Sequence, residues 1–416
     1  MTDRLPLLVD KSMSIWKDEF IFVEQRGIFI SIHMKQEQVN PIFQNRKGIV
    51  MDGQLVLRRV RLTSGEEVDV VIHEGRIVKI APGGTATGDR MWESSGAYVS
   101  SGWIDMHVHA FPEFDPYGDD MDEIGVKQGV TTIVDAGSCG ADRIGDLAIS
   151  AHKAATRLFA FLNISRLGLL RTDELSNLDW IDRDKVLEAA RAYPEFIVGL
   201  KARISGSVVG KNGLQPLYLA REFSQETGLP LMVHIGSAPP DIREVMPILL
   251  DGDVVTHYLN GKSNNLFDDS GAPLEVLQDA IKRGVHLDVG HGTASFSFQV
   301  AEAAKQHGID PHTISTDIYR GNRLNGPVYS MANLLSKFLA LGYSLSETID
   351  RVTIRAAEWL RSPQLGRIQA GDEANLTLFQ VVDKPVTLVD SEGVSKIASR
   401  QIEVKGVIVG EQFIEC

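Results

Sequence analysis

The feature that most constrains the fold is a repeat in the middle of the chain, where short apolar runs alternate with stretches of helical periodicity. Runs this apolar are typical of strands buried on both faces, as in parallel sheets. The runs cover residues 102–109, 131–137, 158–164, 196–202, 231–236, 253–258, 285–290 and 313–319. Eight successive units of strand and helix predict an α/β fold built around a TIM (β/α)8 barrel.

Strand-like segments flank this repeat on both sides. Before it, a hairpin is predicted with its turn at His73–Arg76, because Glu-Gly separates two β-branched runs. After it, one helix is predicted to begin at a capping box, Ser344 followed by Glu347, and to lead into further strands. We therefore expect the barrel to be inserted in a small β-sandwich domain built from the two flanks. The expected boundaries are residues 49–97 and 366–416 for the small domain and 98–365 for the barrel.

Residues 1–48 precede these domains and form an N-terminal extension of uncertain order. The stretch FIFVEQRGIFISIHM could form a pair of strands. The segment could equally be a loosely ordered extension, or lie upstream of a start codon at Met51. The sequence leaves these three alternatives open.

Polar residues lie near the C-terminal ends of several predicted barrel strands, which is the end where barrel enzymes keep their chemistry. His107 and His109 alternate along the first strand, so their side chains point to the same side. Burying such groups in apolar runs is costly unless they are paired or bound to metal. A shared metal centre would satisfy all of them. The candidate ligands are His107, His109, Lys201, His234, His257 and Asp317.

Each candidate also has an ordinary structural explanation. His234 and His257 could be core histidines with satisfied hydrogen bonds. Lys201 could pair with a carboxylate, and Asp317 could cap the helix after it. It is implausible that all these separate explanations hold at once at matching strand ends. A single metal centre is therefore favoured. His291, in a glycine-flanked loop after the seventh run, could contact a substrate or only shape its loop.

Composition excludes several classes of function. A net charge of −13 opposes binding to phosphate backbones, so we expect no nucleic-acid partner. Two cysteines make no disulfide framework and fit a reducing compartment. No apolar run is long enough to span a membrane, and the N-terminus does not resemble a signal peptide. We expect a cytoplasmic protein without a membrane partner, and homo-oligomerisation is left open.

The pattern of ligands resembles the amidohydrolase superfamily of metal-dependent hydrolases over about residues 50–416. Its dihydroorotase-like deacetylase branch is resembled by HAFPEFDPYGDD, GVTTIVDAGSCGAD, GLKARISGSVVG, PLMVHIG, DVGHGTASFSF and STDIYRGNRLNGPVYSMANLLSKFLALG. The segment GDEANLTLF is similar to the superfamily's closing motif, with Asn375 where aspartate is commoner.

The resemblance implies a site with two divalent metal ions. His107 and His109 would bind the first ion with Asp317. His234 and His257 would bind the second. Lys201 would be carbamylated by carbon dioxide to N6-carboxylysine, and its carboxylate would bridge the two ions. The nitrogen and oxygen donors suit zinc. A hydroxide held between the ions would attack an acyl carbon, and Asp317 would pass its proton to the leaving group.

The substrate is less constrained than the metal site. The deacetylase branch implies a small-molecule acylated substrate that loses an acyl group, often acetyl, from an ester or amide of a carboxylate compound. Dihydroorotases often carry arginine two residues after the second histidine, where this chain has Phe111. Arg203 or Arg320 could anchor an anionic substrate instead, or form salt bridges at the barrel rim. Two alternatives remain, a cyclic-amide hydrolase of dihydroorotase or hydantoinase type and a non-catalytic barrel that serves assembly.

Overall fold

The structure is a computed structural model that describes residues 20–25, 28–33, 49–50 and 53–416. In these residues the strands are β1 Phe20–Gln25, β2 Ile28–His33, β3 Ile49–Val50, β4 Leu55–Arg61, β5 Glu67–His73, β6 Arg76–Pro82, β7 Arg90–Glu93, β8 Tyr98–Ser101, β9 Trp103–Val108, β10 Val130–Gly140, β11 Arg157–Asn163, β12 Ile197–Ile204, β13 Leu231–Ile235, β14 Val254–Thr256, β15 His286–Asp288, β16 Asn375–Val382, β17 Val386–Val389, β18 Ser395–Ala398, β19 Gln401–Val409 and β20 Gln412–Glu415.

The α-helices of the same residues are α1 Met121–Ile124, α2 Ile144–Ala151, α3 Arg183–Ala192, α4 Gly206–Val209, α5 Gln215–Thr227, α6 Ile242–Val245, α7 Glu275–Lys282, α8 Phe298–Gln306, α9 Arg320–Asn325, α10 Met331–Ala340, α11 Leu345–Asp350 and α12 Ile354–Trp359. Short 3-10 helices lie at Val126–Gln128, Gly168–Leu170, Leu178–Trp180, Gly210–Asn212, Met246–Ile248 and Pro363–Gly366. Within the described residues, no helix has both the length and the apolar character needed to cross a membrane.

The chain divides into two compact units, residues 1–44 and 45–416. In the first, β1 and β2 pair antiparallel, from Phe20 opposite His33 to Gln25 opposite Ile28. This is the pair of strands that the sequence offered as one alternative. The predictions for the other residues of the N-terminal extension lie outside the described residues.

The barrel is formed by the strands β9 to β15, which pair in parallel and in chain order. The eighth predicted strand, 313–319, closes the circle through isolated bridges, Asp288 with Thr313 on one side and Val108 with Ile318 on the other. Asp317 has a φ of 51°, so the backbone leaves the regular strand conformation there. The predicted TIM barrel is confirmed, with its last strand irregular at the residue that carries a candidate ligand.

Apolar side chains fill the barrel below the candidate ligands. Ile104, Met106, Val134 and Phe161 belong to this inner cluster, which is fully buried. Residues of α12 complete it at the N-terminal end of the strands, where the Trp359 indole donates to the carbonyl of Gly252. The barrel is therefore closed at its N-terminal end, and a cavity can open only at the other.

Strands from both flanks form one mixed sheet, in the order β3-β20-β19-β16-β8-β4-β5-β6, with β7 paired to β4. The C-terminal strand β16 lies between β8 and β19, so the two flanks are joined by hydrogen bonds. The predicted hairpin is confirmed as β5 and β6, and its turn residues Glu74 and Gly75 both have positive φ. The predicted insertion of the barrel between two strand-rich flanks matches this sheet.

The helix predicted from Ser344 onward is wrong in its length. Its capping box is present, but α11 ends at Asp350 and α12 begins only at Ile354. The carbonyl of Val352 accepts a hydrogen bond from the amide of Ile104 at the start of β9. The break between the two helices thus coincides with a backbone contact to a barrel strand.

Candidate metal centre

A cavity of about 210 Å³ opens at the C-terminal end of the barrel. It is lined by groups from the loops after most barrel strands, as expected for this fold. The lining residues are His107, His109, Tyr117, Leu169, Lys201, Arg203, Ser205, Ser207, His234, Ser237, Lys262, Thr293, Ala294, Ser295, Asp317 and Tyr319. Five of the six predicted metal ligands are among them. The sixth, His257, is fully buried.

Three of the predicted ligands meet at one point. Oδ1 of Asp317 lies 3.3 Å from Nε2 of His107 and 3.1 Å from Nε2 of His109. The ligand atoms of these three residues all lie within 4.8 Å of one another. Burial alone would raise the pKa of Asp317, but the hydrogen bond with His109 and nearby positive charges hold it below its ordinary value. An anionic carboxylate and two imidazoles that share one space are a donor set for a divalent cation.

The other ring nitrogen of each of these histidines is held by a hydroxyl. Nδ1 of His107 lies 2.9 Å from Oγ1 of Thr256, and Nδ1 of His109 lies 2.8 Å from Oγ of Ser138. Such contacts fix the orientation of an imidazole, and here they turn both Nε2 atoms towards Asp317. Burial, with nearby positive charges, also keeps the pKa of His107 well below its ordinary value, which favours the neutral, ligating form.

His257 carries the clearest sign of a missing partner. Its Nδ1 can only donate to the carbonyl oxygen of Gly290, since a carbonyl accepts, so Nε2 carries the lone pair. That Nε2 is buried and has no hydrogen-bond partner in the described structure. The ring lies 5.1 Å from the ring of His107 and 4.3 Å from that of His234, centroid to centroid. A buried, unpartnered lone pair on a ring that lies beside two other candidate ligands fits a metal ligand better than a core histidine.

Lys201 reaches the same space from β12. Its Nζ lies 3.4 Å from Nε2 of His107 and 3.2 Å from Sδ of Met232, and the residue is 1% exposed. No carboxylate of the described residues forms an ion pair with it, so the alternative of a simple salt bridge is not what the structure shows. Burial lowers the pKa of Lys201 to about 7. The amine is therefore available in its neutral form near neutral pH.

One buried carboxylate, that of Asp105, supports the candidate ligands from below. Asp105 accepts from the amide of Thr316 at 3.0 Å and from the amide of His107 at 3.2 Å. Burial raises the pKa of Asp105 to about 7. Its contacts tie the first strand to the closing segment, next to Asp317. Asp105 is thus a support of the site rather than part of the cavity wall.

Glycine is required at two positions around the ligands. A Cβ on Gly137, whose φ is +82°, would lie 2.6 Å from Cβ of Lys201. A Cβ on Gly292, whose φ is +52°, would lie 2.3 Å from Oδ2 of Asp317. Both distances are far below van der Waals contact, and both conformations disfavour other residues. The backbone therefore approaches two candidate ligands more closely than any side chain would allow.

The three predicted substrate residues differ in outcome. Arg203 lines the cavity, and its guanidinium also contacts Glu174 Oε2 at 3.0 Å. Arg320 is half exposed, 3.8 Å from Asp119, and does not line the cavity, because its side chain turns towards the rim. His291 is fully buried, stacks on Phe296 and bonds to Lys337 Nζ at 2.8 Å. The structure thus removes Arg320 and His291 from the cavity wall and favours the loop-shaping alternative for His291.

Several cavity residues were missed in the sequence. Lys262 lies five positions after His257, and Ser205 lies four after Lys201, each beyond the end of a barrel strand. Tyr117 and Tyr319 pack edge to face at 5.2 Å, and the Tyr319 hydroxyl lies 2.7 Å from Oγ1 of Thr293. The only signal for these residues was their place in loops that follow strands, and many polar loop residues share it.

No protein-family model matches the chain. A protein named deacetylase from Enterococcus faecalis (strain ATCC 700802 / V583) is 41% identical over 369 residues, covering 88% of this chain and 100% of the relative. A solved structure described as an adenine deaminase has a TM-score of 0.83 at 41% identity, covering 88% of this chain and 100% of that one. One described as a dihydroorotase has a TM-score of 0.82 at 33% identity, covering 88% and 99%. The names denote different reactions, so the likeness groups the chain with these proteins without fixing a substrate.

Proposed function

Because the chain belongs to the amidohydrolase superfamily, in its dihydroorotase-like deacetylase branch, we propose that it removes an acyl group from a small carboxylate-bearing compound with the help of two divalent metal ions. We propose acetyl as the acyl group that is removed, and an ester or an amide as the bond that is hydrolysed. The metal-dependent amidohydrolase class follows from the relatives. The acyl substrate and the pair of ions are our proposal.

The observation that carries the proposal is the buried, unpartnered Nε2 of His257 beside the cluster of His107, His109 and Asp317. In the proposed site, this cluster would hold one ion, and His234 with His257 would hold the other. Lys201 would reach both as a carboxylated side chain. Zinc suits the nitrogen and oxygen donors. When bound, such ions supply a hydroxide nucleophile at neutral pH and polarise the acyl carbonyl.

The residues of the chain would contribute proton handling and positioning. An ammonium cannot ligate a cation. We propose that the neutral Lys201 amine adds to carbon dioxide: an N–C bond forms, one C=O π bond opens to give the carboxylate, and the amine proton passes to water. Asp317, which faces the cavity, would accept the proton of the nucleophile and donate it to the leaving oxygen or nitrogen. Thr256 and Ser138 would hold their histidines in the ligating orientation.

The cavity supports a small substrate. A space of about 210 Å³ is below the ~300–1,000 Å³ typical of pockets for drug-sized ligands. Its wall combines two cationic side chains, Arg203 and Lys262, with hydroxyl groups such as that of Ser205. A compound of few heavy atoms with one anionic group suits this lining.

A cyclic-amide hydrolase is the second candidate, since a structure described as a dihydroorotase is 33% identical to the chain. Against it, Phe111 stands where dihydroorotases often carry arginine. Phe111 is 1% exposed, and its ring centroid lies 4.8 Å from that of Phe114. The guanidinium carbon of Arg143 lies 5.0 Å from the centroid of the Phe111 ring. The position is part of the core and offers no substrate contact.

The test is hydrolysis by zinc-loaded protein of O-acetyl and N-acetyl carboxylates, assayed beside dihydroorotate and hydantoins. We expect the acetylated compounds to be turned over, and Asp317→Asn to lower kcat by about 10²- to 10⁴-fold. Turnover of the cyclic amides alone would replace the proposal by the second candidate. Absence of bound metal under several metal supplements, together with no turnover, would favour a non-catalytic assembly role.

A further inference from the structure

Lys262 is a cavity lysine that the metal-site chemistry leaves unused. It lies in the loop after β14, is partly buried, and lines the cavity together with Asp317. Its backbone amide donates to Oδ1 of Asn260 at 3.0 Å, which fixes the start of the side chain. Among the described residues, no carboxylate or other acceptor forms an ion pair or hydrogen bond with its ammonium group. Removing a cation from water without such a partner is costly.

The neighbouring cation of the same wall is already neutralised. Arg203 donates to both carboxylate oxygens of Glu174, at 3.0 and 3.3 Å, and Glu174 is fully buried beneath it. Lys262 has no equivalent of Glu174. Burial lowers its pKa, while the negative charge of Asp317 acts in the opposite direction. Among the described residues, the cavity wall therefore contains one cation paired with a carboxylate, Arg203, and one without such a partner, Lys262.

The Ser205 hydroxyl and the Lys262 ammonium approach the same glycine of the cavity wall. At Gly236, two positions after His234, an added Cβ would lie 2.9 Å from Oγ of Ser205 and 3.4 Å from Nζ of Lys262. Both polar groups therefore lie close to the backbone of Gly236, which places them on the same part of the cavity wall. Oγ of Ser205 accepts from the amide of Ser237 at 3.1 Å, so its own proton is free to donate into the cavity.

We propose that Lys262, assisted by the hydroxyl of Ser205, binds the anionic group of the substrate and makes the enzyme selective for carboxylates over uncharged analogues. The proposal rests on the proposed function, since it assigns the anchor of that substrate. An ammonium and a hydroxyl donor are the groups that a carboxylate accepts from. Arg203, already paired with Glu174, shapes the same wall and adds positive potential.

The kinetic test compares 2-acetoxypropanoate with its uncharged amide, 2-acetoxypropanamide, on zinc-loaded protein. In Lys262→Gln we expect kcat/KM for the carboxylate to fall by about 10- to 100-fold, mainly through KM. The amide should change less than about threefold, within the scatter of such a substitution. Lys262→Arg should recover part of the loss. Lys211→Gln, which alters an exposed lysine, is the matched control and should match the wild type. An equal loss on both substrates, or no loss on the carboxylate, overturns the proposal.

A binding test separates this proposal from the proposed function. Lactate and succinate are titrated beside lactamide and succinamide, with thermal stabilisation as the readout, which requires no turnover. We expect the carboxylates to raise the Tm of the wild type more than that of Lys262→Gln, and the amides to act equally on both. Equal effects of the carboxylates on both proteins contradict a role for Lys262. If no acyl substrate is hydrolysed but the carboxylates still stabilise the wild type more than Lys262→Gln, the proposed function is wrong. The anion site at Lys262 is supported in that case.

Discussion

The hydroxyl of Thr256 sets the tautomer of His107. Oγ1 of Thr256 lies 2.9 Å from Nδ1 of His107 and donates its only proton to Oδ2 of Asp288 at 2.8 Å. The oxygen must therefore accept from Nδ1–H, which leaves the lone pair of His107 on Nε2, facing Asp317. Asp288 accepts in addition from Thr313 and Ser315, so it is held as an acceptor. The orientation of the His107 imidazole thus depends on a relay of two buried hydrogen bonds, from His107 to Thr256 and from Thr256 to Asp288.

Breaking this relay should weaken metal binding. In Thr256→Val, Nδ1–H of His107 loses its acceptor while the shape of the side chain is kept. We expect the metal affinity to fall by about 10- to 100-fold, as for other groups that orient metal ligands. Thr313→Val removes a different hydroxyl from the same carboxylate, at 2.7 Å, and should bind metal nearly as the wild type does. Competition with a zinc chelator measures both; equal weakening in the two variants would assign the effect to Asp288 alone.

Lys201→Ala should separate the role of the lysine from that of the histidines. Without the side chain no carboxylate can form between the two groups of ligands, so we expect the bound metal and the acyl hydrolase activity both to collapse. Elemental analysis of the purified variant and the wild type gives the metal content. Intact-protein mass spectrometry under bicarbonate should detect the added carbon dioxide in the wild type alone. Near-normal turnover with full metal content in Lys201→Ala would refute the role.

His257→Ala tests whether the unpartnered Nε2 is a ligand. The wild type should be stabilised against heat by zinc, because a cation that binds only the folded state shifts the folding equilibrium. We expect the variant to lose most of this stabilisation and about half of the bound metal. His286→Gln is the control, since this partly buried histidine begins β15 at the opposite end of the barrel and bonds to Thr313. A zinc-dependent Tm shift of wild-type size in His257→Ala would show that Nε2 binds no metal.

Steric exclusion at Gly137 gives a prediction that concerns the backbone. Gly137→Ala places a methyl group 2.6 Å from Cβ of Lys201, whereas Gly228→Ala at a similar φ of +70° meets no atom within 4 Å. Both variants pay the cost of a left-handed alanine, about 1 kcal/mol. Only Gly137→Ala should also lose metal and activity, because it displaces the lysine. If the two variants have similar Tm values, a lower metal content in Gly137→Ala alone shows that Lys201 is displaced and that general destabilisation is not the cause. Full metal content in Gly137→Ala would contradict the close approach of the Gly137 backbone to Lys201.

Much of the barrel was predictable because its strands are buried on both faces and read as continuous apolar runs. Against such runs a histidine or lysine stands out, which is why the ends at His107, Lys201 and His234 could be recognised. The periodicity also places them at one end of a parallel barrel, so their convergence follows from the fold. Sequence reasoning works here because the polar groups break a rule that the surrounding residues obey.

The features that could not be predicted from the sequence are those whose conformation is set by tertiary contacts. The closing segment 313–319 is irregular because Asp317 takes a positive φ, and no local signal marks this. The break between α11 and α12 coincides with the hydrogen bond from Ile104, a residue about 250 positions away. Lys262 and Arg320 both follow strand ends, yet one lines the cavity and the other turns to the rim. The path of a loop selects between them, and loop residues carry little periodicity.

The last prediction concerns pH and a buried lysine outside the metal site. Lys337 on α10 is fully buried, and its Nζ donates to Nε2 of His291 and to the carbonyl of Pro327, both at 2.8 Å. Burial lowers its pKa to about 7, from an ordinary value of 10.5. Between these two values the unfolded chain binds a proton that the folded protein does not. Stability should therefore rise with pH from about 7 to about 10.5, and the full cost of the buried charge should be present below pH 7.

Lys337→Met should remove this contribution while filling most of the space. We expect the difference in unfolding free energy, wild type minus variant, to grow with pH by on the order of 4 kcal/mol across the window. Tm values of both proteins from pH 6 to pH 10 report it, because the other titrating groups are common to both and cancel. Lys282→Met, at a largely exposed lysine of α7, should follow the wild type in parallel. Parallel curves for Lys337→Met and the wild type would mean that Lys337 keeps its ordinary pKa in the folded protein, and that its two hydrogen bonds compensate for burial of the charge.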